Sequence, residues 1–269
     1  MSLPPVPESF YWANASWGAA LRCRPLDDVA PHLFTTRQLT LSSAADYQAL
    51  AHALDVDRVA TLTQVHGAAV CVIRRGAPVP QAPPEADVLV SDSPEVAIAV
   101  RAADCVPLLM ADRVTGVVAA AHAGWRGTAA RAAVAALNAM EREFGTRPQD
   151  VMAAIGPSIG PCCYQVGPEL VDAFAAAGHE RYLIDRWFST PPSAEDFGGA
   201  RRSAFDARRR PQLRLDVAGA NGDQLILAGV PPDQIYDAGL CTAMHLDVLT
   251  SYRAEKERAG RIAAVIRRV

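Results

Sequence analysis

Between residues 59 and 121 the chain carries six short apolar runs, rich in valine, alanine and isoleucine and divided by turn residues, and this crowding constrains the fold more than any other feature. The runs predict strands over 59–65, 69–74, 87–90, 96–101, 106–111 and 117–121. The gaps between them leave no room for intervening helices, so most neighbours are expected to pair antiparallel or as hairpins, and a βαβ array is disfavoured. After Gly127 the period changes: alanines with Val134, Leu137 and Met140 at three- and four-residue spacing predict a long helix over 128–144, stopped by Gly145. A strand over 151–155, helices over 168–177 and 216–228, and a closing strand over 262–267 follow. Strands clustered first and helices added later favour α+β packing, with mixed and largely antiparallel sheets, over a doubly wound sheet.

No internal repeat or hinge-like linker stands out, so one domain over 1–269 is expected. The segment 185–212 differs in composition, with Pro191-Pro192, Gly198-Gly199 and the basic runs Arg201-Arg202 and Arg208-Arg209-Arg210. It reads either as a solvated loop or as a mobile lid that brings arginines to an anionic substrate. A net charge of −3 supplies no broad basic field for a nucleic-acid backbone or an anionic membrane, so neither is an expected partner. The first residues lack a basic stretch followed by an apolar run, and no stretch is long and apolar enough to span a bilayer. Six cysteines in a chain this long, two of them adjacent at Cys162 and Cys163, do not resemble the framework of a small secreted fold. A soluble cytoplasmic protein with reduced thiols is expected, the adjacent pair packing structurally in a turn marked by Pro157, Gly160 and Pro161.

Three motifs interrupt the strand region: Gln64-Val65-His66-Gly67, Ala103-Asp104-Cys105-Val106-Pro107, and His122-Ala123-Gly124-Trp125-Arg126-Gly127. Each sets a metal-binding residue type at the end of an apolar run, where a rigid strand can bring side chains distant in sequence together. Two imidazoles and a thiolate leave one corner of a zinc tetrahedron open, as a catalytic site requires. Singly, each has a plainer reading, since a histidine beside a strand is commonly a hydrogen-bonded rim residue and a cysteine a small hydrophobe. A glycine or proline following each one closely raises the functional reading.

QVHG, RAADCVPLL, HAGWRG and IGPSIGPCCYQVG resemble the signature segments of the YfiH/YlmD family, variously called laccase-domain proteins, multicopper polyphenol oxidoreductases and purine nucleoside phosphorylases. The similarity runs from Phe34-Thr35-Thr36-Arg37 to Gly260-Arg261, with departures at Gln38-Leu39, Ala102, Gly222 and Ala254-Glu255-Lys256-Glu257. It implies that His66, Cys105 and His122 are zinc ligands. It also implies a layered α/β/β/α arrangement similar to the catalytic domain of cytotoxic necrotizing factors, and phosphorolysis of adenosine, inosine and methylthioadenosine.

With only six histidines, four of them scattered, a four-copper laccase is poorly supported, and a single His2Cys copper site is less suited than zinc to hydrolytic work. Zinc with an open position serves deamination at a purine carbon directly. Phosphorolysis also needs an anion site, for which Arg126 at an expected helix start, Arg37 and Arg101 are candidates, although Arg37 and Arg101 read equally well as structural arginines. Asp104 is a candidate to orient a zinc-bound histidine or, more commonly for such an aspartate, to cap a turn. Trp125 reads as a pocket wall or a core anchor. Two other functions compete: an amidase editing peptidoglycan precursors, with Cys105 as nucleophile and His122 as base or with zinc assisting, and a non-enzymatic interaction module. Nucleoside and phosphate are the expected partners of the first reading.

Overall fold

The computed structural model describes residues 3–190 and 213–269. One sheet runs in the order β1 (Phe10–Ala15), β2 (Gly18–Cys23), β3 (His32–Thr35), β15 (Ile262–Ile266), β7 (Val96–Ala102), β4 (Arg58–Ala60). A second runs β14 (Ile235–Asp237), β10 (Val151–Ile155), β8 (Val106–Asp112), β9 (Val118–Ala123), β6 (Val88–Ser91), β5 (Val70–Ile73). A small third sheet joins β11 (Gln165–Val166), β13 (Leu213–Leu215) and β12 (Phe188–Ser189). Pairing is antiparallel apart from β4 with β7, β5 with β6 and β10 with β14, so the architecture is mixed α+β.

Side-chain alternation along the strands stacks the two large sheets face to face. Ile98 and Val100 of β7 and Ala264 and Ile266 of β15 meet Leu109 of β8 and Val118 and Ala120 of β9 between the sheets. The alternate residues Ala97, Ala99, Ala263 and Val265 face outward under Leu50 of α2 (Ala44–Ala53). On the other side, Val106, Leu108 and Met110 of β8 and Ala119 and Ala121 of β9 pack beneath α4 (Ala132–Phe144) and α7 (Val217–Leu227). Helices therefore cover both outer faces, and central strands buried on both sides read as near-continuous apolar runs.

Several expectations need correction. The strand expected over 59–65 ends at Ala60, so His66 lies in a turn beyond it. Consecutive strands do not all pair with each other, since β7 and β8 belong to different sheets and β4 pairs in parallel with β7, and the consecutive β5 and β6 pair in parallel rather than as a hairpin. The turn between β7 and β8 thus crosses from one sheet to the other. The helix expected over 128–144 is broken into α3 (Trp125–Ala129) and α4, with Arg131 left-handed at φ 59°. The break has tertiary causes. Gln224 Nε2 donates to the Thr128 carbonyl at 3.0 Å, and the Arg131 guanidinium donates to the Ala177 and Gly178 carbonyls at 2.9 and 2.8 Å, just past α5 (Glu169–Ala176). Of the expected lid over 185–212, the first residues complete α6 (Arg181–Trp187) and form β12, while 191–212 lie outside the described residues. Two short helices, α1 (Arg24–Asp27) and α8 (Tyr252–Glu255), follow β2 and precede β15 respectively.

Candidate active site

Three turns bring His66, Cys105 and His122 together. Their donor atoms all lie within 4.8 Å of one another, and the two imidazole rings meet edge to face with centroids 5.0 Å apart. A tetrahedron built on bonds of about 2.0–2.3 Å has edges of roughly 3.3–3.8 Å, so small side-chain adjustments suffice to close the three donors on one ion. His122 belongs to β9, Cys105 immediately precedes β8, and His66 stands between β4 and β5.

One carboxylate organises two of these turns. Asp87, fully buried at the head of β6, accepts the backbone N–H groups of Val65 at 3.3 Å, His66 at 3.0 Å and Gly67 at 2.6 Å. Its Oδ1 also lies 2.8 Å from His122 Nδ1, which leaves His122 Nε2 for a metal or for Cys105. Burial alone would raise the Asp87 carboxyl, but the bonds from His122, Gly67 and His66 outweigh it and hold the group below the ordinary carboxylate range. His66 itself adopts φ 62°, a conformation that a non-glycine residue keeps only where its surroundings enforce it. The three N–H bonds to Asp87 supply that enforcement.

The Cys105 turn is held from the other side. Asp104 is left-handed at φ 84°, and its carboxylate accepts Thr242 Oγ1 at 2.6 Å and the Arg253 N–H at 2.5 Å, while its carbonyl accepts the Ile159 N–H at 2.9 Å. Asp104 therefore ties down the turn that presents Cys105, and the carboxylate that faces the His122 imidazole is Asp87. Burial opposes ionisation of Cys105, yet the hydrogen bonds and charge of His122 and His66 prevail and bring its thiol down to about 7. Burial likewise works against a charged His122, and Asp87 and Cys105 overcome it, raising the imidazole to about 9.

Gly124 lets these groups approach. A Cβ there would stand 2.7 Å from Cys105 Sγ and 3.3 Å from His66 Cδ2. Its φ of −71° suits any residue, so Gly124→Ala is a purely steric change at the site. We expect this variant to keep its fold and to lose about a hundredfold in kcat/KM, since displacing reacting groups by about an ångström costs that much. Steady-state kinetics beside a thermal melt checks it; an unchanged rate would mean that the contact is absorbed elsewhere.

The three donors open on a cleft of about 990 Å³ that is also lined by Arg101, Tyr164, Arg253, Lys256 and Arg261. Gln64 fixes Arg101 by pairing both backbone groups, donating to its carbonyl at 2.7 Å and accepting its N–H at 2.9 Å. Arg37 and Arg126 are not part of this lining. The Arg37 guanidinium binds the Leu246 carbonyl and the Glu255 carboxylate, the latter at 3.0 Å. Arg126 is exposed and stacks 4.2 Å above the Trp125 ring, and Trp125 packs partly buried against the helical core as an anchor. Sequence reasoning missed Asp87, whose signal was a carboxylate at the head of an apolar strand. It also passed over Tyr164, Arg253 and Arg261, which sat inside recognised motifs without an assigned role.

Residues 36–269 match the model of the multi-copper polyphenol oxidoreductase laccase family, and the chain belongs to that family. A purine nucleoside phosphorylase of Bacteroides thetaiotaomicron is 36% identical over 67% of this chain and 60% of its own length. One from Deinococcus radiodurans is 33% identical over 88% of each chain, and adenosine deaminase RL5, from an unknown prokaryote, is 35% identical over 58% of this chain and 52% of its own. The fold is shared with YfiH of Bacillus licheniformis, with a TM-score of 0.79 at 25% identity covering 96% of this chain and 97% of that one. YlmD of Geobacillus stearothermophilus gives 0.75 at 30% identity, covering 97% and 99%. Among the described residues no helix is long and apolar enough to cross a membrane.

Proposed function

We propose that the protein is a zinc-dependent purine nucleoside enzyme that splits adenosine, inosine and methylthioadenosine with phosphate and deaminates adenosine at the same site. The observation that carries this reading is the convergence of two imidazoles and one thiol on a cleft, in a chain whose relatives are named purine nucleoside phosphorylase and adenosine deaminase. Zinc, when bound there, supplies a Lewis acid with an open position. The protein's own part is orientation: Asp87 keeps His122 Nδ1 protonated, and the Asp104 turn holds Cys105 beside the cleft.

The phosphate is assigned to the basic groups of the cleft, Arg101 first, and the purine to the side of Tyr164, whose ring carries the Arg253 guanidinium 5.2 Å from its centre. A charge-assisted contact to an anion is worth about 1.5–3 kcal/mol, so Arg101→Ala is expected to lower phosphorolysis about ten- to a hundredfold. Deamination, which uses no phosphate, should fall much less. Arg126→Ala, in contrast, should leave the ratio of the two activities unchanged. Assay of both reactions on each variant decides the assignment, and equal losses from Arg101→Ala would show that this residue positions the nucleoside or supports the fold instead.

A second reading has its own support. Cys105, His122 and Asp87 form a thiol, imidazole and carboxylate in series, with the thiol brought to about 7, as a cysteine amidase acting on peptidoglycan precursors would need. The presence of His66 within reach of the same sulfur favours the metal, because a cysteine nucleophile needs one base and not two. A copper-dependent polyphenol oxidase draws on the family's name alone. Among the described residues the groups able to hold a metal contain only two histidines, His66 and His122, too few for a multicopper cluster.

A further inference from the structure

A second set of donors lies outside the catalytic trio. The sulfurs of Cys162, Cys163 and Cys241 are all within 4.8 Å of one another, with Cys162 and Cys163 Sγ 3.7 Å apart. We propose that these three thiols form a separate binding site for a thiophilic d10 cation, zinc or cuprous copper, that staples the Gly160 turn to the segment following β14.

The geometry is suited to an ion. Three sulfurs at about 2.3 Å from one metal stand roughly 3.8–4.0 Å apart, close to the separation already present. The backbone that carries them is cross-bonded. Ser158 N–H donates to the Leu240 carbonyl at 3.2 Å and Thr242 N–H to the Ser158 carbonyl at 2.9 Å, while Cys163 and Tyr164 both donate to the Gly160 carbonyl. The turn packs closely on the cluster, since a Cβ at Gly160 would lie in van der Waals contact, 3.4 Å from both Cys162 Sγ and Cys241 Cβ.

Polar groups already face the cluster. The buried Cys241 sulfur accepts the Gly160 N–H at 3.3 Å, and the Arg214 guanidinium caps the turn by donating to the Pro161 and Cys162 carbonyls, the former at 3.0 Å. That cation offsets the net negative charge which three thiolates retain around a singly or doubly charged ion. Packing accounts for Cys241 and in part for Cys163 but not for the exposed Cys162 beside them, and adjacent thiols converging on a third are a soft-metal donor set.

The site would also steady the catalytic turn. Thr242, next to Cys241, donates to the Asp104 carboxylate, and Ile159, next to Gly160, donates to the Asp104 carbonyl. An ion at the three thiols fixes both segments from which Asp104, and with it Cys105, is held.

The test is an anaerobic titration of the reduced full-length Cys105→Ala protein with zinc and, separately, with cuprous ion, read by elemental analysis and by X-ray absorption at the metal edge. This background isolates the three-thiol site from the catalytic trio, whatever that trio binds. The expected result is one retained equivalent with three sulfur neighbours at about 2.3 Å. Cys241→Ser added to this background should remove the equivalent. Cys162→Ser, at an exposed position, should leave at most two sulfurs on the ion in the same background. The tighter of the two ions identifies the resident metal, and a fourth, light neighbour is expected with zinc only. Failure to retain either ion, or a retained ion unaffected by both serine substitutions, would overturn the proposal while leaving the nucleoside reading untouched.

Discussion

Cys105→Ala should lose the zinc held with His66 and His122 and lower kcat/KM for adenosine roughly a hundred- to a thousandfold, the loss expected when a preorganised electrostatic group is removed from an active site. Its side chain is the only sulfur of the trio and, with a thiol brought to about 7, offers a thiolate to a metal at neutral pH without a large protonation penalty. The fold should survive, because the neighbouring turn is held by Asp104, Thr242 and Arg253 and not by the cysteine. Elemental analysis beside kinetics separates the two chemistries open to this residue. Loss of zinc with loss of turnover marks a ligand. Lost turnover with no change in metal content would make Cys105 a nucleophile, and full activity with full zinc would move the chemistry elsewhere.

Asp87→Asn should be the most damaging change at a residue that touches neither metal nor substrate. The carboxylate accepts three backbone N–H groups of the His66 turn and faces His122 Nδ1, all from a fully buried position. An asparagine amide keeps the shape but replaces one acceptor oxygen with a donor, so at least one buried N–H or the imidazole loses its partner. Each such loss costs about 1–3 kcal/mol. Metal affinity should also fall about ten- to a hundredfold, as is usual when the carboxylate behind a ligand histidine is removed. A zinc competition assay and a denaturant melt together test this. The two effects belong together in this account: weakened metal binding with unchanged stability would mean that Asp87 does not hold the His66 turn.

The three candidate metal donors could be picked out of the sequence because each stands beside a strand or a tight turn whose glycine or proline is visible locally, while their convergence depends on pairing that the sequence does not display. Nothing in the run over 96–111 shows that the chain changes sheets at Asp104, and Cys105 reaches His122 through the β8–β9 pairing that sets Pro107 opposite His122. Asp87 was overlooked because its partners, His66 and His122, lie 21 and 35 residues away in opposite directions. The long helix over 128–144 was expected from alanine periodicity, and its break is tertiary, imposed by Gln224 and by Arg131 reaching beyond α5. The hairpin of β1 and β2, with α2 and α6, went unassigned. Their apolar periodicity is weak, and α2 is marked chiefly by the Ser43 and Asp46 capping box at its start. The placement of Arg126 at a helix start was sound, but that helix is a single turn on the Trp125 side, whereas the basic groups of the cleft come from β7 and the chain around α8.

Turnover of adenosine by the wild-type enzyme, stripped of metal under reducing, anaerobic conditions and then reloaded with zinc, distinguishes a zinc centre from metal-free chemistry. The expected result is activity at background in the stripped protein, restored by zinc and not restored when the same zinc is given to Cys105→Ala. A stripped enzyme that turns over at the full rate would contradict a zinc centre at His66, Cys105 and His122.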